Sequence, residues 1–269
     1  MDKLLTVVIP SYNVEKFLNQ TLDSFVCDEA VMKKFEVIVV DDGSKDNTAK
    51  IGKEYADKYP DTFRVISKEN GGHGSTINCG IRNAVGKYFK VVDGDDWVNT
   101  ADFVKLVEDL EKTESEYVFT NYYEYYDDVN RQKAVDFPQF KDGTEYDFAD
   151  VANKVYIPMH ALVIKTSVLK DNNIVIDEKC FYVDVEYVMF PVPFVNKVTF
   201  FDLHVYMYRL ALSTQSVSIL GFQKHINDHL RVTFHMFDFY RDYISSDKAD
   251  SAKADYMRTC IADLIIRCF

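Results

Sequence analysis

Val37 to Thr48 reads VIVVDDGSKDNT, four β-branched residues in a row followed by two aspartates, a glycine and a polar run. An apolar run of that length, bounded by turn residues, is the signature of a strand buried on both faces. Gly43 suits the positive φ of a strand-ending turn. Ser44 to Asp46 then open a helix that Asp46 or Asn47 can cap. The same texture recurs at Leu4 to Ile9, Phe63 to Ile66 and Tyr88 to Val92, so four strands are expected. Between them Phe17, Leu18, Leu22 and Phe25 repeat at helical spacing, and Ala49, Ile51, Tyr55 and Tyr59 do so more loosely. Strand, helix, strand in repetition implies right-handed crossovers and a parallel sheet, an α/β fold.

Beyond this half the texture changes. A helix is expected over Ala101 to Leu110, a tyrosine-rich strand over Tyr117 to Tyr126 and a long strand over Lys197 to Leu210. Asp127 to Asp150 is polar and reads as a mobile loop. Helical stripes follow, first Phe222, Ile226, Leu230, Phe234 and Phe237, then Met257, Ile261, Leu264 and Ile265. The expected division is a nucleotide-sugar-binding half at 1–100, an acceptor-binding and catalytic half at 101–218, and a C-terminal helical region at 219–269. The last stripe carries no stop signal before Phe269, so it is expected to pack on the body, with the natural chain continuing past it.

The 269 residues are 47% hydrophobic and 14% aromatic, which excludes disorder and low-complexity architectures. A net charge of −12 with no basic run excludes a nonspecific nucleic-acid binder, yet it leaves room for a nucleotide held through a metal ion. Cysteines at 27, 79, 180, 260 and 269 form no CxxC pair, and no apolar run reaches the roughly 20 residues that span a bilayer. The expected home is the cytoplasm, with any membrane contact peripheral, at the inner face. Oligomerisation stays open.

In open α/β sheets ligands gather beyond the carboxyl ends of the strands. Here strand one exits into Pro10-Ser11-Tyr12-Asn13, strand two into Asp41-Asp42-Gly43-Ser44 and strand four into Asp93-Gly94-Asp95-Asp96-Trp97. Three carboxylates in four positions repel one another unless a cation sits among them, and Mg²⁺ or Mn²⁺ prefers such oxygen ligands. The same turn also reads as a solvated helix cap. Glu69-Asn70-Gly71-Gly72-His73-Gly74-Ser75 offers backbone N–H groups to a phosphate, or simply permits close packing.

Taken together and in order, VVIPSYN at Val7 to Asn13, VIVVDDGSKDNT, Asn78 and Gly80 with Gly86-Lys87-Tyr88, and VVDGDDW at Val91 to Trp97 resemble the family-two inverting glycosyltransferases of GT-A fold. The resemblance is strong over residues 4 to 97. It implies that Pro10 and Tyr12 border the base, that Asp42 holds the uracil or its equivalent, and that Asp93 contacts the ribose side. It also implies that Asp95 and Asp96 form the metal and diphosphate end. One departure is Ile77, where the family often has Arg before the asparagine. A weaker resemblance in the second half assigns the catalytic base to Asp184, with Glu186 as rival because Val183 stands where a Glu is usual. It further assigns a diphosphate contact to Arg209, in the segment with Thr214 to Ser218, although a structural salt bridge is an equal reading. His160 reads as acceptor-facing or as a core histidine.

The implied activity is inverting transfer from a nucleotide diphosphate-sugar, UDP-linked by expectation, to a saccharide or lipid-linked saccharide acceptor, with Mn²⁺ or Mg²⁺ as cofactor, in cell-surface polysaccharide or glycoconjugate synthesis. A sugar-phosphate nucleotidyltransferase is the first rival, although Pro10 to Val14 lacks the basic glycine-rich loop it needs. A noncatalytic nucleotide-sugar-binding protein is the second.

Overall fold

The computed structural model describes residues 3–210 and 219–266. The chain begins with β1 (Leu5–Ser11), α1 (Leu18–Asp23), α2 (Glu29–Met32), β2 (Phe35–Asp41), α3 (Thr48–Lys58), β3 (Phe63–Ser67), α4 (His73–Asn83) and β4 (Tyr88–Val91). There follow β5 (Trp97–Val98), α5 (Thr100–Asp109), β6 (Tyr117–Tyr126), β7 (Arg131–Val135), β8 (Thr144–Asp147), α6 (Phe148–Ala152), β9 (Leu162–Lys165) and α7 (Thr166–Asp171). The last elements are α8 (Asp184–Met189), β10 (Lys197–Leu210), α9 (Ile219–Lys224), α10 (Ile226–Ile244) and α11 (Ser251–Ile266).

The four expected strands are the parallel half of one larger sheet, whose order is β3-β2-β1-β4-β9-β6-β10-β5, with β7 on β6 and β8 on β10. β1 pairs in parallel with β2 and β4, whereas β9 runs antiparallel to both β4 and β6. The sheet is buried on both faces, as its unbroken apolar runs require. Val7, Ile9, Val37 and Val39 join one core with Leu18, Phe25 and Phe103, while Val8, Ile38 and Val40 join the other with Ile77 and the C-terminal helices. Gly80 makes that second packing possible, because a Cβ there would lie 2.4 Å from Val8.

Two expectations are corrected. Asp127 to Asp150 is not a loop but carries β7, β8 and the start of α6. Its polar residues sit on the exposed side of an edge strand, and Phe137 and Phe140 anchor it by packing on Phe119 with ring centroids 5.5 and 5.1 Å apart. In α10 the stripe read from the sequence is the outer face: Leu230, Phe234 and Phe237 are 45, 64 and 45% exposed. The buried face is His229, Val232, Thr233 and Met236, with His229 Nε2 hydrogen-bonded to the Leu264 carbonyl at 2.9 Å. Phe222 lies outside the described side chains. α11 packs as expected, burying Met257, Cys260, Ile261 and Leu264 against the body. Among the described residues no helix is long and apolar enough to cross a membrane.

Candidate active site

Beyond the carboxyl ends of β1, β2 and β3 lies a cavity of about 530 Å³ lined by Tyr12, Asp41, Gly43, Lys45, Ser67, Lys68, Glu69 and Asn70. Two exit loops build its rim. Asn13, at φ 55°, accepts the Lys45 N–H at 2.8 Å, and its own N–H donates to Ser44 Oγ at 3.0 Å, which leaves the Tyr12 ring half exposed over the opening. Pro10 is buried in β1 and its carbonyl accepts the Gly94 N–H at 3.1 Å, so it ties this rim to the acidic turn rather than lining the cavity.

Asp42, expected to hold the base, is bound to the glycine-rich loop. Its Oδ1 accepts from Lys68 Nζ at 2.7 Å and the Gly71 N–H at 2.9 Å, and its Oδ2 accepts from the Gly72 N–H at 2.8 Å. Both oxygens are buried in holding the glycine-rich loop, and the acid that faces the cavity is its neighbour Asp41. Asp41 is the last residue of β2 and Asp42 the first beyond it, and sequence alone does not say which of two adjacent aspartates faces the ligand.

The loop anchored by Asp42 starts α4 at His73, whose Nε2 lies 2.8 Å from Asp93 Oδ1. Burial alone would depress the His73 imidazolium, but Asp93, with Asp184 and Asp95 further off, raises its pKa above the ordinary value. Burial would likewise push the Asp93 carboxyl up, and the paired His73 holds it below the usual range instead. His73 of α4 thus pairs with Asp93 at β4's exit and feels the charges of Asp95 and of Asp184, the first residue of α8.

Within the acidic turn the three carboxylates differ. Asp96 is buried, with Oδ2 accepting from the Tyr206 hydroxyl at 2.6 Å and Oδ1 from the Arg209 N–H at 2.7 Å. Burial first, then Asp95 and Asp93, push its carboxyl well above the ordinary value. For Asp95, burial and Asp93 push the carboxyl up to about 6, and among the described residues only its own backbone N–H bonds to it. His160 stacks on Tyr208 at 3.9 Å, and its ring nitrogen lies with oxygens of Asp93 and Asp96 inside 4.8 Å of one another. Oxygen donors with one nitrogen suit Mn²⁺ or Mg²⁺, and Asp95, of the same turn, lies outside that group of three.

Arg209 is held by contacts within the chain. Its Nε donates to the Asp95 carbonyl at 2.8 Å and its terminal nitrogens to Asp127 and to Gln20 Oε1, while the guanidinium lies 4.6 Å from the Trp97 ring centroid. A diphosphate oxygen would have to displace one of these partners. Thr214 to Ser218 lie outside the described residues. Glu186, the rival base, is buried with Oε2 accepting the Asp177 N–H at 2.8 Å and Oε1 3.0 Å from His235 Nδ1, so it faces α10 and not the acidic turn. Sequence reasoning assigned Lys68 no role, Asp41 only a place in the acidic exit of strand two, and Tyr206 only a place in the segment of Arg209. The signal for Tyr206 was present in the alternation Tyr206-Met207-Tyr208-Arg209, which puts two tyrosines on one face of β10.

The family model described as glycosyl transferase family 2 matches residues 6–172, so the chain belongs to that family. The architecture is the GT-A type: S. aureus TarS 1-349 in complex with UDP-GlcNAc superposes with a TM-score of 0.72 at 20% identity, over 98% of this chain and 72% of TarS. The mannosyltransferase PcManGT from Pyrobaculum calidifontis, in complex with GDP-Man and Mn²⁺, gives a TM-score of 0.63 at 16% identity, over 100% of this chain and 73% of that one. Among curated proteins, the uncharacterized glycosyltransferase EpsJ of Bacillus subtilis is 37% identical over 123 residues, 46% of this chain and 35% of its own length. Glycosyltransferase GlyG of Streptococcus pneumoniae is 33% identical over 126 residues, 46% of this chain and 41% of its own. The chain thus spans well under half the length of these curated relatives.

Proposed function

We propose that the chain is an inverting, metal-dependent glycosyltransferase that moves a sugar from a nucleotide diphosphate-sugar, UDP-linked by preference, to a hydroxyl of a saccharide or lipid-linked saccharide. The observation that carries this reading is the pairing of His73 with Asp93 at 2.8 Å in an acidic turn that also holds Asp95 and Asp96, in a chain that belongs to glycosyl transferase family 2. Tyr12 and Asp41 are assigned to the base, Asp93 to the ribose side and Asp95, supported by the buried Asp96, to the cation. A divalent cation held there would neutralise charge on the departing nucleoside diphosphate. Asp184 takes the proton of the acceptor hydroxyl as that oxygen bonds to the anomeric carbon. The carbon's bond to the diphosphate oxygen breaks from the opposite side, inverting the configuration. UDP-GlcNAc in the TarS structure and Mn²⁺ beside GDP-Man in PcManGT support a donor of this class.

A donor panel tests the reading directly. Sugar nucleotides are incubated with the chain and Mn²⁺, and both nucleoside diphosphate release and thermal stabilisation are measured, since a bound donor raises the melting temperature by mass action. Release of pyrophosphate in place of nucleoside diphosphate, or stabilisation by no sugar nucleotide at all, contradicts it.

A further inference from the structure

The segment between α7 and α8 ends at Asp184, and what holds that segment bears on the base it delivers. Its backbone is tightly specified, with Lys179 and Tyr182 at φ 57° and 66°. On one side it lies against the glycine-rich loop. The Lys179 N–H donates to the Gly71 carbonyl at 2.6 Å, Asn78 Nδ2 donates to the Ile176 carbonyl at 2.8 Å, and a Cβ on Gly74 would come within 2.0 Å of the Asp177 carbonyl oxygen. The other side is held by α10, through side chains 49 or more positions later in sequence. His235 Nδ1 lies 3.0 Å from Glu186 Oε1 and 3.3 Å from Asp177 Oδ1, and Arg231 Nε lies 3.1 Å from Asp177 Oδ2.

Glu186 makes this contact consequential. It sits two residues past Asp184, is 0% exposed, and among the described residues its one cationic partner is His235. A buried carboxylate needs such a partner, and losing it leaves either an uncompensated charge or a protonated acid that binds more weakly. Its second oxygen accepts the Asp177 N–H, so α10 grips both ends of the segment through one side chain. Three donor atoms of Asp177, Glu186 and His235 also fall within 4.8 Å, but the Arg231 guanidinium already supplies the positive charge there.

We propose that His235, assisted by Arg231, is a positioning residue: through Glu186 and Asp177 it fixes the 177–183 segment, and with it Asp184, against the donor site. α10 is on this view a working part of the active site and not only a cover for the core. The proposal rests on Asp184 being the base. Misplacing a reacting group by about 1 Å costs on the order of 10²-fold in rate, so the effect belongs in turnover.

The test uses the full chain with His235→Leu, His235→Gln and Arg231→Gln. For His235→Leu, kcat should fall about 10- to 100-fold while UDP affinity by calorimetry stays unchanged, and amide exchange at Asp177 and Lys179 should quicken. His235→Gln, which still donates an N–H toward Glu186, should recover most of the turnover. Unchanged kcat and exchange in a folded His235→Leu protein overturns the proposal, as does a loss of UDP affinity and of protection throughout α4 and α10, which is general destabilisation. Should His235→Leu fail to fold, Arg231→Gln on the exposed rim carries the test, with faster exchange at Asp177 expected and unaltered exchange fatal. A wild-type chain that transfers from no donor sinks the functional reading instead, and the exchange measurement still decides whether α10 clamps the segment.

Discussion

Replacing Asp42 with Asn separates a base contact from a loop anchor. The amide is best placed with its oxygen toward the Gly71 N–H and Lys68, which sets its NH₂ group against the Gly72 N–H that Oδ2 now accepts at 2.8 Å. One buried N–H then loses its acceptor, at about 1–3 kcal/mol. Lys68 meanwhile faces a neutral partner, which roughly halves the strength of that bond and adds about 1 kcal/mol. A total of about 2–4 kcal/mol corresponds to a fall in melting temperature of roughly 5–15 °C for a chain of this size. The companion variant is Asp41→Asn; Asp41 lines the cavity, and among the described residues its carboxylate accepts the Ser44 N–H at 3.1 Å. It should melt close to wild type and bind UDP about 10- to 100-fold more weakly, the equivalent of one hydrogen bond to a charged group. Calorimetry with UDP and thermal unfolding of the free chain measure both. Refutation is an Asp42→Asn protein that melts normally and binds UDP poorly beside an Asp41→Asn protein that binds normally, for then Asp42 is the base contact.

Asp184→Asn should keep UDP affinity and lose about 10²–10⁴-fold in turnover, as removal of a general base does; near-native turnover there returns the role to another group. Asp95→Asn should abolish the Mn²⁺-dependent part of UDP binding, and excess chelator should reproduce the defect in the unaltered chain; full activity in chelator rules the metal out. Lys90, buried in β4 with Nζ 2.8 Å from the His160 carbonyl, has its ammonium pushed by burial down to about 7 from 10.5. The unfolded chain holds that proton to higher pH, so the folded state is penalised at low pH and gains stability as pH rises from about 7. Urea unfolding at pH 6.5 and 9 should show this gain in the wild type and not in Lys90→Met, and equal slopes would remove the assignment.

The parallel half was legible because its signals are redundant: uninterrupted β-branched runs, glycines at the turns and acids at three successive exits all specify the same sheet. The strands at Tyr117–Tyr126 and Lys197–Leu210 were also readable, as long tyrosine-rich and alternating runs. Orientation was not. Asp41 against Asp42, Asp95 against Asp96, and Asp184 against Glu186 are near neighbours of like chemistry whose directions depend on partners elsewhere in the chain: Lys68, Tyr206 and His235. The outer face of α10 misled for a related reason. Its large apolar residues outweigh a buried face that contains His229 and Thr233, polar groups made compatible with the core by hydrogen bonds to Leu264 and to the helix itself.

The acids around the site can be sorted by what neutralises them, and the sorting identifies the functional group by what is left over. Asp42 is held by two backbone N–H groups and Lys68, Asp93 by His73, Asp96 by Tyr206 and the Arg209 N–H, and Glu186 by His235. Each of these pairs joins two segments remote in sequence, so each builds the site and in doing so is less free to bind. Asp95 differs: burial and crowding by Asp93 raise its carboxyl to about 6, and its backbone donor is its own N–H. Asp95, crowded by Asp93 and only partly offset by Arg209 and His73, thus carries a charge that an arriving cation would relieve. Cation binding at Asp95 should therefore stabilise the chain more than its exposure alone suggests, and the gain should vanish in Asp95→Asn while surviving in Asp42→Asn.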